Sequence, residues 1–384
     1  MSKKLTKIDN QEETATLSQW QLTKLRFSKH KLASISMIVL IIMYIIAIFC
    51  EFFAPMSKEV MDLNYVYCPP MVVKFSFSKG FYTNRLIMDT DPVTLKKIYK
   101  KSKDNLLPLG FFVRGKEYKL CGFLKSNIHF FGLNVTKYAK WRTGRKSTLK
   151  NQARFYLFGA DVYGRDIFSR VIYGSRISLS IGLVGVLLSF FLGIVIGGIS
   201  GYFGGWIDNL IQRCIEILNA FPKLPLWLAL SAAVPDHWPP LGVYFMITIL
   251  LSLLGWTGMA RVVRGKILSL REEDYAVAAK LLGASDSRVL FRHLVPGFTS
   301  HIIVSLTLSI PGMILGETSL SFLGLGLKPP MVSWGVMLSQ CMDIKSVAYY
   351  PWLLTPIFFL VAVVLAFNFM GDGLRDAADP YSSN

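Results

Sequence analysis

At 384 residues the chain is 52% hydrophobic and only 17% charged, with a formal net charge of +18. Its apolar residues fall in blocks long enough to cross a bilayer, which excludes a soluble single-core enzyme and a disordered chain and indicates a polytopic membrane protein. Its five cysteines and five histidines have no metal-ligand spacing, which excludes a metal-stapled fold.

In chain order, residues 1–31 form a polar tail carrying Lys3, Lys4, Lys7, Lys24, Arg26, Lys29 and Lys31. The first predicted span covers 32–53 within a first transmembrane segment of 32–54, and it has no small-residue cleavage site behind it, so it reads as a retained helix. Five more spans are predicted at 178–200, 207–234, 241–262, 300–322 and 350–370, each near the ~20 residues a helix needs to cross the hydrocarbon core. Arg213, Glu216, Pro222, Lys223 and Pro225 interrupt the third of these six spans. The basic tail and Arg261, Arg264, Lys266 and Arg271 after span four place the N-terminus and that loop in the cytoplasm, and six crossings return the C-terminus to the same side.

Residues 55–155 then lie outside, although they hold 20 Lys and Arg against 6 Asp and Glu, a balance of +14. Long segments translocate largely regardless of charge. The strings around Val72–Phe77 and Gly110–Gly115 alternate as strands do, and 89–104 reads as a helix, so a mixed α/β extracytoplasmic insertion between helices 1 and 2 is expected. Its basic bias is consistent with an ordinary solvated surface, with steering of an acidic partner, or with contact to anionic membrane lipid. Cys68 and Cys121 both face the oxidising side here; paired and unpaired states stay open, because spacing alone does not fix a disulfide.

The remaining stretch, residues 156–384, carries the other signals. Gly193, Gly197, Gly201 and Gly205 recur at every fourth position and form a ridge for close helix packing. Pro222, Pro225, Pro311 and Pro356 interrupt spans three, five and six. Glu317 is an acid within a span, with two readings: a place on a translocation path, or a structural hydrogen bond or ion pair. No Gly-x-x-x-x-Gly-Lys-Ser/Thr sequence occurs and no histidine sits in a recognisable catalytic motif. The chain is therefore expected to be no enzyme, with no cofactor of its own and no nucleic-acid partner.

Between spans four and five lies a polar segment, 271–296, with the pattern of a short helix, a turn and a second helix. Glu273 and its acidic neighbours precede Tyr275, Ala278 and Ala279, Gly283 can adopt a left-handed C-cap, and Ser285 or Asp286 can cap the next helix. On physical grounds a plain amphipathic surface helix and a docking element are equal readings.

Resemblance separates them. Tyr275 through Arg288 followed by Phe291 through Pro296 resembles the "EAA" loop of ABC-importer permeases, with Ala278, Ala279, Gly283 and Pro296 at the family spacing and Val277 where that family has Glu. Phe158–Arg170, Leu320–Gly326 with Pro329 and Pro330, and Gly371–Asp376 resemble the C-type permeases of the dipeptide, oligopeptide and nickel importers. The resemblance implies six transmembrane helices with a cytoplasmic coupling helix built on Glu273, Tyr275, Ala278, Ala279, Gly283, Ala284 and Ser285. It also implies a second permease subunit, two ATP-binding subunits that hold ATP and Mg, an extracytoplasmic substrate-binding protein, and a bacterial inner membrane. Peptide is the implied cargo, with nickel chelates or another small solute as the alternative. A scaffold that recruits a non-ATPase cytoplasmic partner is the alternative of another class.

Overall fold

A computed structural model describes residues 19–90, 92, 97–120, 122–141, 154–235 and 237–378. Helix α1 (Gln19–Lys29) meets α2 (Lys31–Ile48) at His30, whose Nδ1 accepts the Ala33 N–H at 3.2 Å and so caps α2. One further turn, α3 (Cys50–Phe53), leads into the insertion. There β1 (Lys74–Ser76), β2 (Gly80–Thr90), β3 (Lys97–Leu120) and β4 (Leu124–Leu133) make an antiparallel meander in the order β1-β2-β3-β4, followed by the short α4 (Val135–Trp141). The long β3 pairs with β2 through its first half and with β4 through its second, opposing Phe111 to Phe131.

The insertion is mixed α/β, but 89–104 is not a helix within it. Thr90 pairs with Lys97 and Asp89 with Ile98, so the described part of that stretch closes a β-hairpin, and Lys100 bonds Asp89 across it at 2.6 Å. The helix expected over 89–104 is thus replaced by strand pairing on the sheet. Cys68 is a buried free thiol, and Cys121 lies outside the described residues. Tyr65, Leu86, Leu107, Tyr138 and Tyr156 form the insertion's own core. It is joined to the rest by the Met71 N–H to the Tyr156 carbonyl at 2.9 Å and by the Tyr67 ring stacked 4.0 Å from Tyr350.

Beyond it run α5 (Ile167–Phe203), α6 (Gly205–Ala220), α7 (Lys223–Ala232), α8 (Pro240–Leu270), α9 (Asp274–Leu281), α10 (Asp286–Arg288), α11 (Thr299–Phe322), α12 (Trp334–Leu338), α13 (Ile344–Tyr349) and α14 (Thr355–Ala378). Among the described residues five helical stretches are long and apolar enough to cross a membrane: Lys31–Ile48, Ile167–Phe203, Pro240–Leu270, Asp286–Phe322 and Pro351–Ala378. The expected third span is two helices broken at Phe221 and Pro222, because proline has no N–H to give and holds the preceding residue extended. Pro311, by contrast, sits inside a continuous α11, and Pro356 lies in the first turn of α14, where a missing N–H costs nothing. Neither interrupts its helix.

Helices α5 and α8 pack along their length and run parallel. Tyr244 bonds Ser180, Ser252 donates to the Gly185 carbonyl, and further along Gly193, Gly197 and Gly201 lie against Met259, Ala260 and Arg264. A Cβ added at Gly197 would land on the backbone of Ala260, so only glycine permits this approach. The ridge is three glycines long, for Gly205 already belongs to α6 and touches nothing there. At the far end of the seam Asp208 of α6 accepts from Ser200 of α5 and receives both Nε and Nη2 of Arg264 at 2.6 and 2.5 Å, which ties three helices together.

Candidate functional site

The polar segment folds as a helix pinned at its base and bare on its outer side. Arg271 caps α8 and donates from Nη1 to the carbonyls of Gly201 and Tyr202 at 3.2 Å, satisfying acceptors that the end of α5 leaves unpaired. Glu273 holds the N-cap position of α9 in extended geometry, without a side-chain cap bond. Within α9, Ala276 is the residue turned inward, 2% exposed, while Tyr275, Val277 and Ala278 face out and Ala279 is half-buried against the core.

Gly283 ends the helix. Its φ of +85° lets its own N–H reach the Lys280 carbonyl at 3.0 Å and the Ala284 N–H reach the Ala279 carbonyl at 3.1 Å. This paired closure satisfies the last carbonyls of α9, and the left-handed backbone it needs is open to glycine at no steric cost. Ser285 stands at the N-cap of α10 without a side-chain cap bond, and Asp286 instead accepts from the Tyr202 hydroxyl at 2.7 Å. Lys280 lies 3.8 Å from Asp286 and 5.6 Å from the centre of the Tyr202 ring. Tyr202, Lys280 and Asp286 therefore strap both sides of the turn to the end of α5. After α10 the chain passes through π-helical Val289–Leu294 and a tight turn at Val295–Phe298 into α11.

Two leucines that composition alone did not single out complete the surface. Leu281 and Leu282 are 83% and 88% exposed at the tip of α9, beside Tyr275 and Val277 at 45% each. These exposed apolar side chains lie on a helix that is tied to the end of α5 from behind. The signal was present in the sequence, since two leucines directly before a C-cap glycine lie past the only inward position of so short a helix.

Glu317 is elsewhere, fully buried where α5, α11 and α12 meet. Its carboxylate accepts from Ser333 at 2.7 Å, Ser321 at 2.8 Å and Ser178 at 3.4 Å. These hydroxyls in turn accept backbone N–H groups: Ser333 from Val336, Ser321 from Leu327 and Ser178 from Trp334. Glu317 thus organises the chain reversal after α11, and among the described residues no salt bridge reaches it. A second buried knot stands at the start of α5. Asp161 receives the backbone N–H of Tyr163 and Arg165, the Arg165 side chain at 2.8 Å and the Arg170 guanidinium, while Asp166 caps the helix through Ser169. The sequence marks Phe158–Arg170 by its resemblance alone, and the convergence of these charges appears only once the turn before α5 folds. Among the described residues no cluster of His, Cys, Asp and Glu has the makings of a metal site.

The family model described as "Binding-protein-dependent transport system inner membrane component" matches residues 193–382, and that for the "N-terminal TM domain of oligopeptide transport permease C" matches 18–70. The oligopeptide transport system permease protein OppC of Bacillus subtilis is 41% identical over 232 residues, covering 60% of this chain and 73% of the relative. The chain belongs to the C-permease family of ABC peptide importers. The dipeptide permease DppC of Bacillus subtilis is 41% identical across 58% of this chain and 68% of its own, and that of Alkalihalophilus pseudofirmus is 40% identical across 66% and 81%. A chain of the inward-facing MetNI methionine transporter overlaps at a TM-score of 0.45 with 17% identity, over 55% of this chain and 97% of that one. The two family models leave 71–192 unmatched, the stretch that holds the whole β-sheet of this permease.

Proposed function

We propose that this peptide-importer permease forms half of a translocation path and takes its energy from a separate ATP-binding subunit that docks on α9. The observation that carries this reading is the apolar tip of Tyr275, Val277, Leu281 and Leu282, held rigidly by the Gly283 closure and the Tyr202–Asp286 strap. The chain has no phosphate-binding loop, so closure of a partner on ATP is the energy source, and a partner shifts an equilibrium only by preferring one of its states. A second permease subunit supplies the other half of the path, a second ATP-binding subunit docks on it, and an extracytoplasmic binding protein delivers peptide.

The same reading fixes the topology. Because α5 and α8 run parallel, the chain between them has to return across the bilayer, and among the described residues α6 and α7 are the helices that lie there. That pair is the sixth crossing, made in two pieces. Both termini and α9 then lie on the cytoplasmic side, consistent with Phe27 and Ala33 packing on Ala377 at the end of α14. The test is co-expression with candidate partners: a subunit bearing a phosphate-binding loop co-purifies, and proteoliposomes take up a labelled peptide only with ATP and binding protein. Uptake of a nickel chelate in place of peptide, or capture of a non-ATPase partner alone, would overturn it.

A further inference from the structure

Where the insertion meets the spans there is a cavity of about 490 Å³, within the ~300–1,000 Å³ usual for ligand sites. Met43 and Ile46 of α2 and Phe359 of α14 form one wall. Phe168 and Ile172 of α5 and Phe111, Phe130 and Phe131 of the sheet line it as well. Its one polar side chain, Ser175, donates its hydroxyl to the Ile172 carbonyl at 2.7 Å and so offers nothing inward. A water held in such a space needs two to four polar partners, and a peptide backbone would lose its hydrogen bonds there. The occupant has to be hydrocarbon.

Position says where that hydrocarbon comes from. Beside Met43 and Ile46 on α2, Ile42 and Ile45 are about half exposed, at 50% and 44%, and beside Phe359 on α14 Phe358 is 75% exposed. These residues belong to candidate membrane spans, so exposed apolar side chains of spanning helices adjoin the lining residues in sequence. We infer that the cavity holds an acyl chain of a membrane phospholipid, which enters from the outer leaflet and seats the aromatic face of the sheet on the ends of α2, α5 and α14. Lipid here fills the gap between the insertion and the spans and acts as part of the fold.

The assembled transporter, extracted from membranes supplied with phosphatidylethanolamine bearing a photoreactive diazirine on one acyl chain, is irradiated and its adducts mapped by mass spectrometry. Adducts are expected on Phe130, Phe131, Phe168 or Ile172 as well as on the outward residues Ile38 and Ile42. Ser175→Trp, which fills the space, should abolish the first set and spare the second; Ile172→Phe is the alternative filler should the tryptophan variant fail to assemble. Adducts confined to Ile38 and Ile42 in the unmodified protein would overturn the inference. So would cavity adducts that persist in both fillers, or cross-linking of the same positions to transported peptide or to the second permease subunit.

Discussion

Replacing Gly283 with valine isolates one physical effect, because a Cβ at this position would meet nothing within 4 Å. The whole cost is backbone: an L-residue at φ +85° pays about 1–2 kcal/mol, with β-branched valine at the upper end. That is roughly a 5–30-fold fall in the closed-to-open ratio of the cap that fixes α9 and its leucines. Permease folding should survive, since the strain falls on an exposed turn. In proteoliposomes containing the complete transporter, we expect ATP hydrolysis to continue while peptide taken up per ATP falls by up to that same factor. Gly283→Ala should lie between, and Gly283→Asn should stay near the wild type because asparagine tolerates the left-handed region. A valine variant with an intact complex and an unchanged uptake-to-ATP ratio would refute the reasoning. Equal damage from asparagine and valine would show that bulk, and not backbone, is what matters.

Leu281→Ser and Leu282→Ser should change the permease's own stability by no more than about 0.5 kcal/mol, yet weaken retention of the ATP-binding subunit about tenfold, read by co-purification and by thermal melts of the isolated permease. Glu317→Ala leaves three buried hydroxyls without their acceptor at about 1–3 kcal/mol each, so yield and Tm should drop sharply; Glu317→Gln with normal Tm but abolished uptake would instead place this residue on the path. Burial pushes the Asp166 carboxyl up from 3.8 to about 6. A raised folded value means its stabilising contribution is complete below 3.8 and lost as pH rises through about 6, up to about 3 kcal/mol. Asp166→Asn keeps the cap on α5 and should flatten Tm across that window. Replacing 74–141 by a short linker, while keeping the Met71 and Tyr67 contacts to the core, should leave the complex assembled; a binding protein whose affinity also survives shows that the sheet is not its docking site.

Five of the six predicted spans were legible because hydrocarbon thickness imposes a length that helices such as α5 meet. The closure of α9 was legible too, since a glycine after an alanine-rich turn has few other uses. What failed did so for identifiable reasons. The stretch 89–104 has no strand-like alternation of its own and acquires its conformation from β2, a partner that local pattern does not reveal. Pro222 breaks a helix while Pro311 and Pro356 do not, and the difference depends on position within a turn and on neighbouring helices. The seryl cradle of Glu317 escaped notice because Ser178, Ser321 and Ser333 are scattered in sequence and converge only once α5 and α11 pack.

The three-glycine seam has a mechanical meaning for the transporter. Side chains at a helix interface can change rotamer and absorb a push, but between Gly197 and Ala260 backbone lies against backbone, and nothing there can yield. Arg271 and Tyr202 tie the same end to the segment around α9, so a displacement of α9 would bear on both α5 and α8. The Gly197–Ala260 contact thus locks α5 to α8 near the end that carries α9, while the other end of α5 carries the charged knot of Asp161, Arg165 and Arg170.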